Sequence, residues 1–307
     1  MHPYILLIFA MLFFSGNFIV GKLFAGTIPP FTLAFLRSTM ALLVLMPLCY
    51  KQVFINKPLW IKEWKPLVAI ATSGLVLFNV CLYLSINYTT TVNAAIVDAL
   101  TPAVAALLGF IILKERLSKV QWFGILLSFI SIVFIITQGS LSVLLTFSIN
   151  SGDLIMLLGI VFWAFYSIFI KVHGGKFPVL SGLVVTMIIS ALILLPFAGY
   201  EFVQSGNFFA DLQWQGYLGL LYIGIFPSAL ALLFWYRAVD EVGPSKASVF
   251  FNLVPVFTTT LAVVFLDEPF TFVHLFGATF VLVGVYLSTK TPKSKLQVNT
   301  TRNENVV

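Results

Sequence analysis

Residues 93–135 read NAAIVDALTPAVAALLGFIILKERLSKVQWFGILLSFISIVFI, and a second version of the same plan starts at Ala247: ASVFFNLVPVFTTTLAVVFLDEPFTFVHLFGATFVLVGVYLS. Laid over one another without gaps, 153 positions apart, the two share Ala94/Ala247, Leu100/Leu253, Pro102/Pro255, Leu108/Leu261, Leu113/Leu266, Glu115/Glu268, Phe123/Phe276 and Gly124/Gly277. Apolar composition inflates coincidence, so the identities weigh less than the common layout: an apolar helix with a central proline, a short acidic break, a second apolar helix. A hydropathy plan that recurs within one chain points to a membrane transporter built from two halves.

Composition sets the same direction. Hydrophobic residues make up 60% of the 307 and charged residues 9%, where a soluble domain carries about 25% charge. Mean hydropathy is +1.04, which spread over the whole length means many membrane spans. Tyr4 to Val20 lacks the basic flank and small-residue cleavage pattern of a secretory signal and is followed by more segments of its kind, which predicts a retained helix. Cys49 and Cys81 lie in apolar runs, where neither a disulfide framework nor a metal cluster is expected; the reading calls for no metal and no cofactor.

A bilayer core takes about 20 apolar residues per helix, and that ruler predicts ten spans: 4–22, 31–50, 66–84, 93–113, 120–137, 153–171, 180–199, 215–234, 246–266 and 271–288. The breaks carry turn chemistry at Thr27-Ile28-Pro29-Pro30, Asn150-Ser151-Gly152 and Gly243-Pro244-Ser245. The polar tail 289–307 is expected to be disordered. Of the 17 Lys and Arg residues, all but Lys22 and Arg37 fall in loops or tail on the side of the N-terminus. Loops 23–30, 85–92, 138–152, 200–214 and 267–270 hold none. Cytoplasmic loops collect Lys and Arg, so both termini are predicted inside. The net charge of +6 is then topological, and no nucleic-acid partner is implied. Five helices per half make the second unit enter from the opposite side. The organisation expected is therefore all-α and integral to the membrane, as two inverted five-helix repeats: 1–137, an outer linker 138–152, and 153–288. Such units place a binding site near the bilayer midplane where they meet.

On these residues the chain resembles the drug/metabolite transporter superfamily, and within it the EamA-type ten-helix members. The likeness rests on Phe14-Ser15-Gly16-Asn17 through Lys22 and Trp163-Ala164-Phe165-Tyr166 through Lys171 at the start of each half. Phe35-Leu36-Arg37, Ala94-Ala95, Pro102, Leu113-Lys114-Glu115-Arg116-Leu117 and Gln121-Trp122-Phe123-Gly124 add to it. The second half is similar but altered, with Asp267-Glu268-Pro269-Phe270 at the acidic break and His274 where Gln121 stands. The resemblance implies efflux of small metabolites such as amino acids by alternating access, in a cytoplasmic membrane. Import or exchange in the manner of nucleotide-sugar transporters is the alternative.

Charged side chains inside spans are costly and are functional candidates. Arg37, about two turns into the second span, and Asp98, in the fourth, are expected at similar depth, with Lys22 at the end of the first. Three readings stay open for Arg37 and Asp98: a static ion pair, contact with substrate, or proton coupling through Asp98. Lys22 is expected to snorkel to the interface. Trp163 is the one Trp expected mid-span, as a stacking face or as packing. Asn17, Asn79 and Asn252 are interhelical hydrogen-bonding groups or ligands; Asn17 is favoured as a ligand because it aligns with Tyr166. Pro102 and Pro255 are expected to kink the fourth and ninth spans, as hinges or fixed bends. Tyr83 pairs with Tyr236 at the 153-residue spacing, as opposed gates or interfacial anchors. Lys57 to Lys65 reads as a lipid-facing interfacial segment.

Other classes fit less well. His2, His173 and His274 are too far apart to assemble with Asp98 on these spans, and no nucleotide-binding Gly-rich loop occurs, so an intramembrane enzyme or ATP-driven pump is not expected. Channel-type charge rings are also missing. With few charges lining it, the cavity should favour neutral, zwitterionic or apolar-bearing solutes over polyanions. Ten helices can enclose a pathway within one chain, which predicts a monomer.

Overall fold

The computed structural model describes residues 2–114, 117–140, 150–206, 208–242 and 249–289. Met1, Glu115, Arg116, residues 141–149, Asn207, residues 243–248 and those from 290 onward lie outside the described residues, as do the side chains of Lys171 and Tyr236. Among the described residues the chain is helical, without strands. Seven helices are long and apolar enough to cross a membrane: α1 Pro3–Leu23, α2 Pro30–Ile55, α3 Trp64–Tyr88, α4 Thr91–Ile112, α6 Ser151–Ile170, α7 Val179–Ser205 and α8 Trp214–Trp235. Between and after them lie three shorter apolar helices, α5 Lys119–Ile135, α9 Phe250–Leu266 and α10 Phe272–Leu287.

Local sequence explains the ends. Pro30 opens α2 at its first position, where a missing N–H costs nothing. Thr90 caps α4 by accepting from Asn93 N, and Ser118 with Gln121 forms a capping box on α5. Lys114 and Asp267, also 153 positions apart, both stop their helices in the left-handed region (φ 53° and 51°), so the two helices end in the same way.

α4 departs from the kinked helix expected at Pro102. It consists of two helices, Thr91–Asp98 and Thr101–Leu113, with Pro102 in the first turn of the second. The chain leaves the helix at Ala99–Leu100, before the proline, so Pro102 starts a helix and sacrifices no internal hydrogen bond. In α9 a 3₁₀ turn, Val249–Asn252, precedes Leu253–Leu266, and Pro255 again sits in the first turn. α3 and α8 are interrupted too, by π-helical segments Ala71–Leu77 and Phe226–Leu230. Such segments leave backbone groups unpaired and recur at functional sites.

The packing has an internal regularity. α5 runs along α10, and α2 along α7; α3 packs on α6, and α1 on α8; α1 also packs on α9, and α6 on α4. Exchanging each helix for the one five places along returns the same set of pairs. The main core holds Leu33, Tyr83, Ile86, Ile96, Leu100, Ile132 and Ile135. Leu43, Leu48, Ile130, Leu192 and Val203 are exposed, an outward apolar surface that suits lipid and would be costly in water.

Candidate functional site

A polar network around Arg37 lies inside the largely apolar interior, and the two π-helical segments build it. At a π turn the i→i−4 bonds are skipped, and carbonyls there need other donors. In α3 the Asn79 side-chain amide supplies them, donating Nδ2 to Gly74 O (3.2 Å) and Leu75 O (2.9 Å). In α8 Ser228 Oγ donates to Ile223 O at 2.8 Å. Both side chains are thereby fixed with an acceptor turned inward. Arg37 of α2 reaches both: its Nε donates to Ser228 Oγ at 2.6 Å and its Nη1 to Asn79 Oδ1. Tyr83, one turn beyond Asn79 and 1% exposed, also faces the Arg37 guanidinium and donates its hydroxyl to Asn17 Oδ1 of α1 at 2.9 Å.

Four residues singled out from the sequence, Asn17, Arg37, Asn79 and Tyr83, therefore form one network across α1, α2 and α3, joined by Ser228 from α8. Buried as it is, Tyr83 is not an interfacial anchor. Ser228 had no individual signal in the sequence, although Pro227 beside it, inside an apolar run, marks the irregular turn. Arg37 and Asp98 do not pair here: the one ion pair found among the described residues is Lys176–Glu63. Asp98 sits at the last residue before the α4 break, accepting from Thr101 Oγ1 at 3.4 Å. It keeps part of its surface accessible although Val97 and Leu100 beside it are wholly buried. Lys22 does not snorkel: Nζ donates to Ile86 O (2.7 Å) and Thr89 O (2.9 Å) at the end of α3.

Aromatic residues line the rest. Trp163 lies against Phe78 (centroids 4.6 Å) and Tyr166 (4.8 Å), and Phe14 stacks on Phe251 (6.1 Å), which also meets Trp235 (4.7 Å). Asn252 and Pro255 lie at the α9 break, Asn252 partly accessible. The Val254 carbonyl there accepts from Ser15 Oγ of α1 at 3.1 Å. Tyr236 lies within the helical run Ala231–Val242 that continues α8, and its side chain lies outside the described residues. An apolar cleft of ≈ 240 Å³ opens beside the Gly174–Phe177 turn and runs between α3, α6 and α7 as far as Tyr166 and Thr186. In the alignment of the two halves Thr186 stands for Arg37 and Tyr166 for Asn17. One half thus fills with a charged network the place that the other leaves as a cleft.

The model of the EamA-like transporter family matches residues 1–137 and 150–290. The chain belongs to the EamA-like transporter family. An uncharacterized transporter of Bacillus subtilis, YyaM, is 30% identical over 282 residues, covering 92% of each chain. An uncharacterized transporter of Archaeoglobus fulgidus is 30% identical over 289 residues, covering 93% of this chain and 96% of its own. A solved crystal structure shares the fold with a TM-score of 0.60 at 17% identity, over 94% of this chain and 96% of the other. This EamA-like protein is thus a multi-pass membrane protein of a transporter family, and its relatives are named as transporters rather than enzymes. Among its described residues no cluster of His, Cys, Asp and Glu is suited to a metal.

Proposed function

We propose that the chain is a ten-span secondary transporter with both termini in the cytoplasm. It would export small zwitterionic metabolites such as amino acids across the cytoplasmic membrane by alternating access, acting as a monomer. One observation carries this: Arg37 and Asp98 are opposite charges, each about seven residues from the same end of its helix, partly accessible inside an apolar bundle, and unpaired. An intramembrane charge without a counterion costs several kcal/mol, and a dipolar solute would supply both counterions. Two of the five guanidinium donors are held by Ser228 and Asn79, which leaves others for a carboxylate. The aromatic walls at Trp163, Tyr166 and Phe251 suit an apolar side chain.

The repeated helix pairings and the matched helix ends at Lys114 and Asp267 support inverted halves as the moving parts. Under the predicted topology the polar network closes the outer half, while the cleft beside Gly174–Phe177 opens toward the cytoplasm, a conformation ready to load from inside. The test is growth of overexpressing cells under toxic amino acids and analogues, with radiolabel flux in cells and inside-out vesicles. Protection by the wild type, lost in Arg37→Met and Asp98→Asn at equal membrane abundance, is the expected result. Protection unaffected by both variants would remove them from the site. Accumulation into cells rather than vesicles would reverse the direction in favour of import.

A further inference from the structure

A second polar cluster lies away from Arg37, where the start of α6 meets the turn between α3 and α4. Asp153, in the first turn of α6, is 1% exposed. Its Oδ1 accepts from Thr89 Oγ1, while Oδ2 has no hydrogen-bond partner. The hydroxyls of Ser85 and Thr91, both wholly buried, also lack partners. Access is tight: a Cβ on Gly152 would lie 2.7 Å from both Ser85 O and Thr89 N. From Thr89 the chain of contacts continues to Asn93 Nδ2 (3.5 Å), and Asn93 Oδ1 meets His274 Nε2 of α10 at 3.0 Å. Thr271 N donates to His274 Nδ1, which puts the ring proton on Nε2 and leaves the imidazole neutral. Beside it the Glu268 carboxylate takes Thr91 N (2.8 Å) and Val92 N (2.9 Å) at the start of α4.

The charged and titratable groups around Asp153 among the described residues are as follows. Glu268 is satisfied by two backbone N–H groups and the helix end. Lys22 of α1 gives Nζ to carbonyls, Tyr88 is exposed, and His274 is neutral. None neutralises Asp153 by contact. A carboxylate met only by neutral donors, Thr89 and Asn93, and nearly sealed from water is strongly disfavoured while it carries its charge. The seam also joins helices of both halves, α3 and α4 to α6 and α10, so any rocking of the halves opens it.

We propose that Asp153 binds one monovalent cation, a proton or a sodium ion, when this end of the transporter closes, so that closure and cation uptake are one event. With the cation the carboxylate is neutral and the seam packs; without it the seam opens and Asp153 meets water. The proposal rests on the topology above, which puts the seam outside, but not on the substrate.

The test is labelling by a membrane-impermeant maleimide in intact cells. The reporter is Val92→Cys, wholly buried beside the seam, in a chain with Cys49→Ala and Cys81→Ala. For one cation per closure the labelling rate should fall by up to about tenfold per tenfold rise in the cation that binds. Each rate is divided by that of Ser205→Cys, exposed at the same end, at the same pH, because the reacting thiolate grows with pH on any cysteine. The dependence on pH that remains at fixed sodium identifies the proton, and dependence on sodium at fixed pH identifies sodium. Asp153→Asn, neutral at all conditions, should label slowly and without either dependence. If that variant does not accumulate, Thr89→Val, which removes the hydroxyl on Oδ1, should shift the midpoint. Retention of the full dependence in Asp153→Asn, its transfer to His274→Gln as the variant that abolishes it, or no dependence in the wild type would overturn the proposal. A Ser205→Cys control, exposed at the same end, reads the topology separately: no labelling there from outside would overturn the topology itself.

Discussion

Replacing Asn79 by Leu keeps the volume and removes three hydrogen bonds at once: the acceptor for Arg37 and the donors to Gly74 O and Leu75 O. In water-soluble proteins a bond to a charged group contributes about 1.5–3 kcal/mol and a neutral one about 1, which sets an upper value of roughly 4–5 kcal/mol. Interhelical bonds in membranes average about 0.6 kcal/mol, with a maximum near 1.7, so about 2–3 kcal/mol is expected. Unfolding in mixed micelles with rising SDS fraction measures this directly. The informative comparison is the double variant. Arg37→Met abolishes the charge that Asn79 serves, so Asn79→Leu should cost at least about 1 kcal/mol less in that background. Additive effects would refute the claim that Asn79 and Ser228 are held by the π-helical turns in order to carry the guanidinium.

Other outcomes follow from the same contacts. Gly74→Leu should abolish accumulation of folded protein, since even a Cβ there meets the Tyr166 ring; Tyr166→Ala in the same chain should restore part of it, read by membrane abundance. Glu268→Gln should lower stability by about 1 kcal/mol in the micelle assay, because a neutral group replaces a carboxylate capping two α4 N–H groups. Between Glu63 and the turn after α6 the hydrogen bond from Lys176, 2.8 Å away, holds the Glu63 carboxyl below its ordinary 4.5. A lowered folded value means the contribution is present above the unfolded value and is lost as pH falls through the folded one. Wild type and Glu63→Gln should therefore differ most at neutral pH and converge in acid, below the ordinary carboxylate range, when their melts are compared.

The helices were legible because length and hydropathy alone specify them: ten predicted spans overlap ten apolar helices, and several ends carry a cap, a proline or a left-handed residue. The Asn17–Tyr83 and Arg37–Asn79 contacts were half-legible. Their polarity inside apolar runs marked them, while the partner of each depends on how helices pack, which a chain apolar on all faces does not encode as a periodic stripe. The π-helical turns were only faintly marked, by Pro227 in Phe226–Leu230 and by Ser73-Gly74 in Ala71–Leu77, residues that weaken a helix without specifying a π turn. Glu268 and His274 read as loop and helix-end residues, yet both are buried at the α4 start. An acidic turn in sequence looks alike whether it meets solvent or the N–H groups of a distant helix.

The unequal helix lengths bear on the surrounding lipid. α5 and α10, packed together, belong to helices of 18 residues each, about 27 Å at 1.5 Å per residue, against a hydrocarbon core of about 30 Å. α2 and α7, also packed together, have 26 and 27 residues, roughly 40 Å. In the ten-span reading the bilayer must thin by a few ångströms along one flank and can keep its full depth along the other. At fractions of a kcal/mol per ångström, that dimple favours short-chain lipid beside α5 and α10. Neighbouring proteins that thin the bilayer in the same way would be drawn to that flank.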